Sequence, residues 1–143
     1  MRLFLDANVL FAAAYSPEGR SAAFFSFAGE GVCSLASSRH AIDEAARNLA
    51  LKAPDTMPEF ERLLTLLEVV PEADPRLVAC AADLGLPAND APILAAAVAS
   101  QLDLLVTGDR THFGHIFGRT FGSVTVLPLG DALARVLGSD SSR

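Results

Sequence analysis

Leu104-Leu105-Val106-Thr107-Gly108-Asp109 sets three consecutive apolar residues against a small polar turn that ends in a carboxylate. The apolar run has no polar alternation and is too short for a helix. It therefore reads as a strand buried on both faces. The chain opens the same way, with Arg2–Leu5 stopping at Asp6. Val32–Ala36, Glu68–Val70 and Ser123–Leu127 read as further short strands. Helical spacing fills the intervals. Ser21–Ala28 ends at Gly29, and Ser37 or Ser38 offers an N-cap for a helix running to about Leu51. After Pro54 and Pro58, Glu59–Leu67 carries Phe60, Leu63, Leu64 and Leu67 at core spacing. Pro75–Leu84 begins with proline and ends at Gly85, Ala91–Leu102 is strongly apolar, and Leu129–Leu137 is the last helix. Short apolar strands separated by helices predict an α/β domain with a parallel sheet covered on both faces. Ligands of such sheets bind outside the carboxyl ends of the strands, where the strand order reverses. The residues that directly follow strands thus become the candidates for chemistry.

Composition agrees with one globular domain. The chain has 143 residues, 51% of them hydrophobic and 20% charged, with a mass of 15.0 kDa and a mean hydropathy of +0.36. That is one domain's worth of core, placed at 1–138, with a frayed polar tail at 139–143. A formal charge of −6 excludes a generic polyanion binder, so contact with nucleic acid needs a local patch or bound metal. Two cysteines, Cys33 and Cys80, exclude a disulfide framework and a thiolate zinc site, and both read as small core residues. The first apolar run is broken by Asp6, too early for a signal-peptide core, and Ile93–Ala99 is far short of a membrane span. The expected location is cytoplasmic.

Asp6 and Asp109 each follow a strand, and if those strands are neighbours their carboxylates share one edge of the sheet. Asp90 stands at the start of a helix with Pro92 in its first turn, where it also fits as a cap. Glu44 lies off the helix stripe of Ile42, Ala45, Ala46 and Leu49, and periodicity does not choose between it and Asp43. Close carboxylates resist joint ionisation without a counter-charge. Hard divalent ions such as Mg²⁺ or Mn²⁺ supply that charge through oxygen ligands, and they activate water for phosphodiester cleavage.

These residues resemble the PIN-domain family of metal-dependent ribonucleases, in order over nearly the whole chain. Leu5-Asp6-Ala7-Asn8-Val9-Leu10 is similar to the family's opening motif, and Ala41-Ile42-Asp43-Glu44 to its second, with the acid at Glu44. The run Asn89-Asp90-Ala91-Pro92-Ile93-Leu94 resembles the third motif, and Val106-Thr107-Gly108-Asp109-Arg110-Thr111-His112-Phe113 the fourth. The likeness is nearest to the prokaryotic branch that holds VapC-like toxins of toxin–antitoxin pairs. It implies a three-layer α/β/α sandwich with a short central parallel sheet, and an endoribonuclease that uses Mg²⁺ or Mn²⁺. It implies Asp6, Glu44, Asp90 and Asp109 as catalytic metal-site carboxylates, with Asn8 and Thr107 as supporting polar residues. It also implies RNA as substrate, a homodimer and a small antitoxin partner. One position departs: many members carry an acid shortly before the phenylalanine of the fourth motif, where this chain has His112.

From Arg110 to Gly130 there is no Asp or Glu, while Arg110, His112, His115 and Arg119 interleave with Phe113, Phe117 and Phe121. Such a segment suits phosphates and stacked bases, or else covers a core. Arg110, His112 and Arg39 are the substrate-binding candidates, followed by Arg20 and by Arg47, which has Asp43 at helical spacing. Phe24, Phe25 and Phe27 cannot all share one face of a helix, so at least one is expected to point outward as an interaction surface. Two other classes fit the sequence less well. A phospho-receiver needs a lysine after a late strand, but the lone Lys52 is mid-chain. A non-catalytic PIN-like RNA- or protein-binding module has no need of four mutually repelling carboxylates.

Overall fold

The computed structural model describes residues 1–141, with side chains through residue 138. Strand β1 (Arg2–Leu5) leads into helices α1 (Ala7–Tyr15) and α2 (Arg20–Gly29). Strand β2 (Ser34–Ser38) follows, then α3 (Arg39–Lys52), a 3₁₀ turn at Pro54–Thr56 and α4 (Met57–Leu64). Next come β3 (Leu67–Val70), α5 (Pro75–Ala82), α6 (Ala91–Ala99) and β4 (Leu104–Val106). The chain continues through α7 (Arg110–Phe113), a 3₁₀ turn at Gly114–Ile116, β5 (Thr120–Phe121), β6 (Val124–Leu127) and α8 (Leu129–Ser141). The last helix thus runs into the stretch read as a tail, and residues 142 and 143 lie outside the described residues.

The six strands form one sheet in the order β3-β2-β1-β4-β6-β5. Every pairing is parallel except β5 with β6. The chain steps from β1 to β2 to β3 in one direction, then crosses back past β1 to β4. Right-handed crossovers therefore put α1–α4 on one face and α5 and α6 on the other. Packing agrees: α1 lies against α2, α3 and α4, α5 lies against α6, and α8 joins the first layer beside α2. This is the expected α/β/α sandwich. Its core is one cluster in which Phe4, Phe24, Phe60, Phe113, Leu3, Leu5, Leu94 and Leu104 are fully buried.

Several element boundaries differ from expectation, each for a local reason. β2 spans Ser34–Ser38 rather than Val32–Ala36. Val32 closes the end of α2 by donating to the Phe27 carbonyl, and the buried Ser37 hydroxyl donates to the Leu5 carbonyl at 2.8 Å, which lets a serine sit inside the sheet. α4 stops at Leu64, and Leu67 pairs with Leu35 in the sheet instead of extending the helix. α6 stops at Ala99 because Gln101 turns the chain at φ 56°, after which Leu102 donates to the Ala97 carbonyl. α1, α7 and the short β5 lacked a sequence signal; α1 is apolar apart from Asn8 and offers no amphipathic stripe.

Cys33 is buried as expected, but Cys80 is exposed, because α5 turns Ala81 rather than Cys80 inward. The outward phenylalanine of α2 is also absent. Phe24 and Phe25 are buried and Phe27 is half-buried against the core. α2 is flanked by α1, β2 and α8, so more than one of its faces is covered. Among the described residues no helix is long and apolar enough to cross a membrane.

Candidate metal centre

β1 and β4 are neighbours at the point where the strand order reverses. Leu5 pairs with Val106, so Asp6 and the Thr107-Gly108-Asp109 turn leave the sheet side by side. Asp6 is only 3% exposed. Its Oδ1 accepts the Ala7 N–H at 2.7 Å, while its Oδ2 accepts the Thr107 hydroxyl at 2.8 Å and the Asn8 amide at 3.1 Å. Burial nevertheless pushes the Asp6 carboxyl up to about 6, and the charges of Asp90 and Glu44 push the same way.

Asn8 spans the seam. Its Nδ2 donates to Asp6 and to Thr107 Oγ1 at 3.2 Å, and its Oδ1 accepts the Gly108 N–H at 2.7 Å. Thr107 Oγ1 also accepts the Asp109 N–H at 3.1 Å, so both supporting polar residues hold the acidic turn. Gly108 eases this approach, because a Cβ there would sit tightly against Asn8 Oδ1 at 3.3 Å and Leu129 at 3.4 Å.

Asp109 caps α7, with Oδ1 accepting the His112 N–H at 3.0 Å. His112 then folds its ring back. Its Nδ1 lies 2.7 Å from Asp109 Oδ2 and 3.3 Å from Asp90 Oδ2. The Asp109 contact holds the imidazole above its ordinary range. Asp90 begins α6 but makes no side-chain cap, so its carboxylate is free to face the cluster. Burial raises the Asp90 carboxyl, the His112 charge lowers it, and Asp109 and Glu44 raise it further. Asp90, Asp109 and His112 each offer a ligand atom within 4.8 Å of the others. Asp6 and Glu44 stand outside that tight trio, though their charges reach Asp90 or one another.

Glu44 lines a cleft of about 470 Å³ together with Asn8, Ser21, Asn48, Gly108 and Asp109. Asp43 points the other way, where its exposed carboxylate meets Arg39 at 3.7 Å. That pair replaces the expected Arg47–Asp43 contact and turns Arg39 along the outer side of α3. Arg110 and Arg20 line an adjoining hollow of about 330 Å³ that shares Gly108 and Leu129 with the acidic cleft and carries Asp131 at its edge. Phe113 is fully buried and offers no face for a base, whereas Phe117 lies under Arg110 at 5.9 Å and Phe121 under Arg119 at 5.1 Å. Sequence reasoning missed His40, whose Nε2 sits 2.9 Å from the Asn89 carbonyl next to Asp90. It also missed Ser21 and Asn48 in the cleft. None of the three belongs to a motif or breaks a pattern, so only the packing of α2 and α3 reveals them.

The donor set suits a divalent ion. Its oxygens are hard carboxylate ligands, and the neighbouring negative charges that add to burial in raising Asp6 and Asp90 are ones a bound cation offsets. Residues 2–111 match the family model of the PIN domain, and the chain belongs to that family. Solved structures share its fold. Against PAE2754 from Pyrobaculum aerophilum the TM-score is 0.69 at 22% identity, covering 96% of this chain and 90% of that one. Against VapBC2 from Rickettsia felis, bound to a DNA fragment from their promoter, it is 0.66 at 16% identity, covering 90% and 98%. Against FitAcB from Neisseria gonorrhoeae it is 0.60 at 20% identity, covering 90% and 98%. No curated protein matches the sequence.

Proposed function

We propose that this PIN domain is an endoribonuclease dependent on Mg²⁺ or Mn²⁺, and the toxin of a toxin–antitoxin pair. The observation that carries the reading is that Asp6 and the Thr107-Gly108-Asp109 turn leave β1 and β4 side by side, with Asp90 beside Asp109 and with the charges of Asp90 and Glu44 acting on Asp6. Asp6, Glu44, Asp90 and Asp109 would hold the ion, which supplies Lewis-acid activation of water and neutralises the departing oxygen. The protein's own groups do the rest. Thr107 and Asn8 donate to Asp6 Oδ2 and fix the direction of its carboxylate. Arg20 and Arg110 in the adjoining hollow are placed to take an RNA phosphate beside the cleft, with the Arg110 guanidinium steadied over Phe117. Arg39, paired with Asp43 on the outer side of α3, lines neither the cleft nor the hollow.

A small antitoxin partner is proposed from the likeness to VapC-like toxins, which the shared fold with VapBC2 supports, and a homodimer from that likeness alone. The test is incubation of the purified chain with single-stranded and structured RNA in Mn²⁺ or Mg²⁺, against EDTA and against Asp109→Asn. Internal cleavage that disappears with EDTA and in the variant is the expected result. Intact RNA in both metals would favour a non-catalytic binding module instead.

A further inference from the structure

We propose that His112 is a nitrogen ligand of the metal centre and gives it a preference for Mn²⁺ and later first-row ions over Mg²⁺. The inference rests on the metal centre of the proposed nuclease and names the ion that centre selects. His112 stands where many members of the resembling family carry an acid, and the family match at 2–111 ends one residue before it.

The backbone aims the ring. α7 is a single turn of four residues, capped by Asp109 through the His112 N–H. That bond fixes the start of the side chain and brings Nδ1 to 2.7 Å from Asp109 Oδ2 and 3.3 Å from Asp90 Oδ2. Neighbouring ligands of an octahedral ion, each about 2.1 Å from it, lie about 3 Å apart. The two separations from Nδ1 bracket that value, and the three ligand atoms lie within 4.8 Å of one another, so the imidazole nitrogen stands at ligand spacing from both carboxylates.

The chemistry then discriminates. Mg²⁺ takes oxygen ligands, whereas imidazole nitrogen suits transition ions, with affinity rising from Mn²⁺ towards Cu²⁺. His40, the other imidazole near Asp90, has its Nε2 against the Asn89 carbonyl at 2.9 Å and serves as a control. The competing role for His112 is that of a built-in cation standing where the metal would go. The two roles differ in sign: removing a ligand weakens binding of transition ions, whereas removing a resident cation tightens binding of every divalent ion.

The experiment titrates the whole chain with Mn²⁺ alone and with Mg²⁺ alone, without RNA, and records pulsed EPR of the Mn²⁺ form. His112 is 47% exposed, so its variants should fold, which circular dichroism checks. The expected result is a ¹⁴N coupling on Mn²⁺ that His112→Gln abolishes and His40→Gln keeps. His112→Gln should weaken Mn²⁺ about tenfold and Mg²⁺ by less than about twofold. His112→Asp should shift the Mn²⁺/Mg²⁺ affinity ratio towards Mg²⁺. Absence of Mn²⁺ binding, absence of the coupling in the native chain, or tighter binding of both ions by His112→Gln overturns the proposal. Because no RNA is present, a protein that cleaves nothing but shows the coupling keeps this inference and loses the nuclease reading.

Discussion

Asp6 sets burial against hydrogen bonding. Burial raises its carboxyl from 3.8 to about 6 even though Thr107 and Ala7 donate to it. Between those two values the folded chain keeps a proton that the unfolded chain has released, so stability falls as pH rises through that window. The loss is on the order of 3 kcal/mol. His112 acts with the same sign. Its raised affinity for a proton contributes stability below its ordinary 6.5, and that contribution is lost as pH rises through the folded value. The metal-free protein should therefore resist urea better at pH 4.5 than at pH 7, and Mn²⁺ should restore resistance at pH 7. Asp6→Asn should flatten the part of this loss between pH 4 and 6. Its gain at pH 7 is smaller than the charge alone suggests: with its oxygen on the Ala7 N–H, the new amide faces the Asn8 amide, another donor. Denaturant midpoints of both proteins across pH 4–7 measure this, and parallel curves would show that Asp6 is not the group responsible.

α3 presents its two adjacent acids to different surroundings. Glu44 lines the cleft, and Asp43 pairs with Arg39 at the surface. Glu44→Gln should lower RNA cleavage by at least about 100-fold, whereas Asp43→Asn should stay within about twofold. Equal losses in a cleavage assay would reverse the assignment. Helical period alone leaves these two acids undecided, because both lie off the stripe of Ala41, Ile42, Ala45 and Leu49. The neighbour that separates them is Arg39, which stands four residues before Asp43 and five before Glu44 and so meets Asp43 along the helix. β1 and β4 were legible because a central strand needs apolar residues on both faces. β2 was misplaced because two of its buried residues are serines: Ser37 donates to the Leu5 carbonyl of another strand, and Ser38 accepts the Ala41 N–H as the cap of α3. The phenylalanines of α2 misled for a related reason: helical geometry states where they point, not how many neighbours surround the helix. Phe24→Ala should thus cost about 3–5 kcal/mol in a urea melt. It should not act by removing an exposed docking contact, and a variant as stable as the native chain would put Phe24 outside the core.

The whole molecule carries a formal charge of −6, yet its proposed substrate is a polyanion. Its cationic help is local, in the Arg20 and Arg110 hollow beside the cleft. Each arginine that meets a phosphate of single-stranded RNA should contribute about 0.7 to the slope of log affinity against log salt. Arg20→Ala and Arg110→Ala should each reduce that slope by about this amount, measured by fluorescence anisotropy in Ca²⁺ with cleavage suppressed. Unchanged slopes would move the phosphate path elsewhere. None of this charge placement was readable from the net charge, because β1, α2 and the β4 turn meet only in the folded chain. That meeting has a temporal side. Asp6 and Thr107 bond across 101 positions of sequence, so at about 5–20 residues per second a ribosome finishes the second partner roughly 5–20 s after the first. A growing chain carries half a centre for that whole interval. The proposed centre is complete only once β4 has left the exit tunnel and slid into the sheet beside β1.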